Sequence, residues 1–283
     1  MLEVTILKVT HSGVKEARKI IPFIEQTDVF GIELAYMWEA KAQEVQDFWH
    51  DSLSSGVAWN KSSFQRKLKG MLPIYNSEAI KQYSDKICEY AYHHRKPLYF
   101  LERFSPHEAK RLDGIFETGA KFRGLVRTQA FFGAKLDDVL EYIWDANTMM
   151  MAVNRERDME MGRNLSDAES NIRGRYKNLA AKDTLRFVLG VGNLHSPEAY
   201  TNIPCSVHNL AHEDNSVIGL CRSIAEGKSF ADNRPLILNV LAKTLGISND
   251  ETKKLNPEEL ETRIKEIMSK LAQSMHVIKP TEY

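Results

Sequence analysis

Residues 3–34 constrain the fold more than any other stretch of the chain. Residues 3–9, Glu-Val-Thr-Ile-Leu-Lys-Val, are a short β-prone run that ends at Thr10-His11-Ser12-Gly13. Residues from there to about Gln26 set Val14, Ala17, Ile20, Ile21 and Ile24 on one helical face, with Ser12 or Thr10 suited to cap it. Residues 28–34, Asp-Val-Phe-Gly-Ile-Glu-Leu, are a second strand-like run. Strand, helix and strand within about 30 residues is the size of a βαβ unit, so the two strands should run parallel.

Two further strands are readable. Residues 97–103, Pro-Leu-Tyr-Phe-Leu-Glu-Arg, predict the third, and Leu185 to Val191 the fourth. Gly190 and Gly192 suit a tight turn or a close backbone approach beyond that strand, and Pro197 is placed to open the next helix. Between these runs the chain is mostly helical: 37–53, an irregular basic piece at 61–69, 77–95, a start at Ser105-Pro106-His107-Glu108, and a long helix over about 136–165. Residues 120–133 are ambiguous, and 166–181 add at most a turn or two. After Pro197 the chain is polar and broken to about Asp232, followed by helices from Pro235 and Pro257. The expected fold is α/β: a small, mostly parallel sheet flanked by many helices, with a helical C-terminal portion. Residues 1–200 would form the α/β domain, with a helical insertion at about 36–95, and 201–283 a polar loop region and C-terminal helices packed on it.

Composition narrows the function classes. The 283 residues carry 38 basic and 38 acidic side chains, 43% are apolar, and the pI is near 7.1. No global excess of charge points to nucleic acid or an anionic membrane surface. The N-terminal residues lack the blocks of a signal peptide, and no apolar run approaches the ~20 residues that cross a bilayer. The cysteines Cys88, Cys205 and Cys221 fit free thiols in a reducing compartment. A cytoplasmic protein acting on a small molecule or peptide is expected.

The strands share one property: each ends at a polar group. His11 follows the first, Glu33 ends the second, Glu102 and Arg103 end the third, and His195 follows the fourth. In a parallel sheet these ends share an edge, where open α/β folds place their sites. On the long helix, Asn147, Met150, Met151, Asn154, Arg157, Asp158 and Met161 share a face. Arg157 and Asp158 there suit either a structural network or, for Arg157, contact with an anion at the strand ends.

These pieces resemble the TraB–Tiki group of the erythromycin esterase and ChaN-like superfamily. The resemblance rests on the run from Thr5 through His11 to Glu33, on Glu156-Arg157-Asp158-Met159, and on Gly192-Asn193-Leu194-His195, which fits the family's Gly-x-x-His. It covers about residues 3–35 and 150–200. Lys8 stands where the family's first Gly-x-x-His has glycine, which weakens the metal expectation more than the fold expectation. The resemblance to Tiki-like metallopeptidases implies a hydrolase in which a metal-activated water attacks a peptide or ester bond.

Two histidines and a carboxylate suit a divalent metal, with His11, Glu33 and His195 as ligands of Mn, Zn or Fe and a bound water acidified for attack. Arg157 would then steady the developing oxyanion. The alternative resemblance, to erythromycin esterases, implies a metal-free site, with His11 or His195 as general base on water and Glu33 orienting it. A third is a non-catalytic pocket for a small anion, metal or haem. Glu102 and Arg103 are candidates for holding a cofactor.

Other motifs carry less. Cys205, His208 and His212 have zinc-like spacing but lack a clear fourth ligand. His93-His94-Arg95-Lys96 is a solvated helix end, and Gly227-Lys228-Ser229 lacks the rest of a phosphate-binding loop. Leu255, Leu260, Ile264, Ile267, Met268, Leu271 and Met275 form a stripe for core packing or a homodimer contact.

Overall fold

The computed structural model describes residues 1–10, 13–33, 39–68, 78–131, 133–211 and 216–276. They fall into two compact units, Met1–Leu112 with Asn154–His212, and Asp113–Val153 with Glu213–Tyr283.

The first unit holds the sheet. β1 (Leu2–Val9), β2 (Val29–Ile32), β3 (Leu98–Tyr99), β4 (Leu185–Gly192) and β5 (Cys205–Asn209) lie in the order β3-β2-β4-β1-β5, and every pairing is parallel. The βαβ expectation thus holds, with α1 (Gly13–Gln26) as the crossover and β4 inserted between the two strands it joins. The insertion comprises α2 (Glu39–Ser54), α3 (Lys61–Leu68) and α4 (Glu78–His93).

Strand alternation builds a three-layer unit. Leu7, Val9, Phe30, Ile32 and Val188 face one way, against Ile20, Ile24, Val45, Trp49 and Ile87 of α1, α2 and α4. Val4, Ile6, Val29, Phe187, Leu189 and Val191 face the other way, against Met161, Leu165, Ala168 and Ile172. Those four residues lie on α6 (Leu136–Arg175), which follows α5 (Pro106–Phe131) and precedes the single turn α7 (Lys177–Ala180). Burial on both faces explains why β4 reads as an unbroken apolar run.

The second unit has its own core. Val139, Leu140 and Ile143 of α6 pack with residues of α8 (Ser216–Ala225), α9 (Phe230–Thr244) and α11 (Pro257–His276), which follows the short α10 (Asn249–Thr252). Residues 113–153, grouped by sequence with the sheet, therefore share a core with the C-terminal helices. Leu260, Ile264 and Met268 of the C-terminal stripe are spent on it.

Several elements differ from the sequence expectation. The third strand is two residues long, because Phe100 N–H donates to the Gln46 side chain at 2.7 Å instead of to a neighbouring strand. Residues 120–131 continue α5, and Gly124 there has open space around its Cα. α6 runs unbroken to Arg175. α9 begins at Phe230, with Ser229 and Asp232 forming a reciprocal cap, and Pro235 lies inside it. Pro197 opens a short 3-10 turn, Pro197–Tyr200. β5 was unread because four of its five residues are exposed, so it has no buried face to imprint a pattern.

Candidate functional site

The carboxyl ends of β2, β3 and β4 meet α6 in a buried ionic network. Parallel pairing sets Ile32 beside Gly190, so Glu33 leaves the sheet next to the end of β4, its N–H donating to Gly190 O at 3.0 Å. Its Oε2 accepts from Gly192 N–H at 2.5 Å. This is the close backbone approach expected near those glycines, although both remain in strand and the chain turns only at Asn193.

Arg157 is the hub. It is 3% exposed, and it donates from Nε to Glu102 Oε1 at 2.5 Å and from Nη2 to Glu33 Oε1 at 2.6 Å. Its Nη1 lies 3.1 Å from His195 Nε2. On the ring's other side, His195 Nδ1 is 2.7 Å from Asp158 Oδ1, while Nε2 is also 3.2 Å from Glu33 Oε1. A guanidinium can only donate, so a bare Nε2 accepts from Arg157 and a protonated one donates to Glu33.

The charge balance favours the protonated ring. Glu33 and Glu102 bind the guanidinium, and Glu33 and Asp158 flank the ring. Burial alone would lower the His195 pKa. The charge of Glu33 and the hydrogen bonds to Asp158 and Glu33 outweigh both burial and repulsion by Arg157, and the pKa is pushed up to about 9. Tyr83 of α4 also approaches this edge. Burial first, then the charges of Glu33, Cys88 and Glu16, raise its phenol well above the usual range.

The expected residues therefore divide. Glu33, Glu102, Arg157 and His195 come together. Arg103 turns away, donating to Phe100 O and to Gln46 Oε1, both at 3.1 Å, with its guanidinium over the Tyr99 ring. Glu156 turns outward to Arg111 at 2.9 Å. Asn147 belongs to the second unit, where it donates to Ile143 O and accepts from Cys221. His11 lies outside the described residues.

Asp158, which the sequence offers as one half of a structural network with Arg157, holds His195. Gly162, one turn further along α6, drew no notice. A Cβ there would come within 2.7 Å of Tyr200 and 2.8 Å of Pro197 O, so the glycine lets α6 lie against the turn that follows His195. A glycine inside a long helix is the signal that could have found it. Lys8 is paired: it donates to Ser196 Oγ at 3.0 Å and Glu198 Oε1 at 2.6 Å, tying β1 to the segment after His195.

The residues present fit a metal held by Glu33 and His195 poorly. A guanidinium already lies within hydrogen-bond distance of both, and it supplies the positive charge a metal would bring. Among the described residues, which do not include His11, no three His, Cys, Asp or Glu side chains are placed to share a metal ion. The zinc-like set fares no better. Cys205 and His208 lie three apart on β5 and so point to opposite faces, and His212 is outside the described residues. All three cysteines are free. Among the described residues no helix is long and apolar enough to cross a membrane.

Comparisons with family models, curated proteins and solved structures find no match for this chain.

Proposed function

We propose that the carboxyl edge of the sheet is the active site of a hydrolase resembling TraB–Tiki proteins, acting on an ester or peptide bond by proton transfer without a metal. One observation carries this reading: Glu33, Glu102, Arg157, Asp158 and His195, drawn from distant parts of the chain, lie in one hydrogen-bonded network at the end of a parallel sheet. Open α/β sheets place their sites there.

The geometry suggests roles. Asp158 fixes the His195 ring through Nδ1, as an orienting carboxylate does for a catalytic histidine. With a pKa pushed up to about 9, His195 carries its proton at neutral pH. It is then the acid, giving a proton to the leaving group or the developing oxyanion, and it does not take one from water. Arg157 adds fixed positive charge for the oxyanion, and Glu102 and Glu33 hold its guanidinium in place. The base that activates water is then His11, on the sequence reading.

The test is hydrolysis of a panel of esters and peptides by the whole protein in the presence of chelator. Turnover should persist, and His195→Ala and His11→Ala should each lower it by roughly a hundredfold or more. Loss of activity on chelation, with recovery on adding zinc, manganese or iron, would restore the metal expectation. No turnover of any ester or peptide would leave a binding protein.

A further inference from the structure

The opposite edge of the same unit holds a second candidate site, independent of the hydrolase reading. A cavity of about 470 Å³ opens there, within the ~300–1,000 Å³ typical of small-molecule sites. Pro97, directly before β3, and Tyr176, at the turn from α6 to α7, both line it. Three cations reach it: Arg95, Arg175 and Lys177. No carboxylate lines it among the described residues, and Arg175 is paired with Asp47.

Two of the lining residues also carry buried atoms, Arg175 Nε and Tyr176 Oη, that have no hydrogen-bond partner among the described residues but are shielded from the cavity itself. Arg95 closes α4, its N–H donating to Tyr92 O and the Lys96 N–H to Ala91 O, which accounts for its left-handed φ of 52°, and its guanidinium donates to Leu53 O at 3.0 Å. Leu53 and Pro97 add apolar surface beside the His50 ring, which meets Tyr176 edge-on at 4.9 Å, and Ser54 and Asn178 complete the lining.

We propose that this cavity binds a small organic anion, a phosphate or carboxylate borne on an apolar or aromatic body. The guanidinium and ammonium groups of Arg95, Arg175 and Lys177 take the anion, and the wall of His50, Leu53 and Pro97 takes the body.

Calorimetric titration of the whole protein tests this with phenyl phosphate, benzoate, inorganic phosphate and phenol. Saturable binding of phenyl phosphate or benzoate is expected, weaker binding of inorganic phosphate, and none of phenol. The tighter of the first two assigns the anion class. Arg95 and Lys177 are exposed, so Arg95→Gln and Lys177→Gln should fold normally. Each should weaken binding by about tenfold. The proposal is overturned if none of the three anions binds saturably, if phenol binds as well as phenyl phosphate, or if affinity is unchanged in both variants.

Discussion

At the scale of single residues, Arg157 and His195 decide how the edge behaves. Arg157 is the charge that makes a cluster of buried carboxylates tolerable. Removing one partner of a buried ion pair leaves the others uncompensated and typically costs ~3–5 kcal/mol. Arg157→Met should therefore lower stability to urea by about that much, and a loss under ~1 kcal/mol would mean the network is loosely solvated. His195 gives a signed pH effect. Its folded pKa of about 9 lies above the ordinary 6.5. The protonated ring therefore stabilises the fold fully below pH 6.5, and that contribution is lost as pH rises through about 9. The unfolding midpoint should fall across that window, by up to about 3 kcal/mol in stability, and His195→Gln should remove that fall. A midpoint that rises below pH 6.5 and stays flat from there to pH 9 would show that the ring is buried neutral.

At the scale of elements, two glycines set how closely layers approach. Gly31 of β2 lies under the Phe187 ring, and an added Cβ would stand 2.6 Å from that ring. Gly31→Ala should destabilise by ~1–3 kcal/mol, measured by urea denaturation. Gly162→Ala gains helix propensity, worth ~1 kcal/mol, yet must push the backbone of the turn after His195. It should leave α6 helical while lowering turnover, which circular dichroism and rate measurements separate. What the sequence revealed follows the same logic. β4 was legible because burial on both faces writes an apolar run, and the Glu33, Glu102 and His195 ends followed from parallel pairing. β5 and the middle of α5 were not, since exposed residues such as Ser206 and Asn209 leave no periodic trace. Asp158 was visible as a polar residue on an apolar face, but its choice of His195 over Arg157 depends on how α6 lies against β4.

At the scale of the whole molecule, one helix serves two cores. The N-terminal part of α6 packs with the C-terminal helices, and its later part covers the sheet. A fragment ending at residue 212 would strip Val139, Leu140 and Ile143 of their partners Leu220, Ile237 and Leu241. It should aggregate or bind a hydrophobic dye, as sedimentation and fluorescence would report, and a monodisperse, dye-negative fragment would show that the second core is dispensable. The carboxyl edge makes a stricter demand, because the Arg157 guanidinium lies within hydrogen-bond distance of both Glu33 and His195. Nitrogen NMR of the ring of His195, assigned by its loss in His195→Gln and followed over pH with and without added zinc, addresses that directly. The expected result is a doubly protonated ring at neutral pH that titrates near pH 9 and is unmoved by zinc. Titration at or below 6.5, or a His195 resonance displaced by zinc, would contradict it.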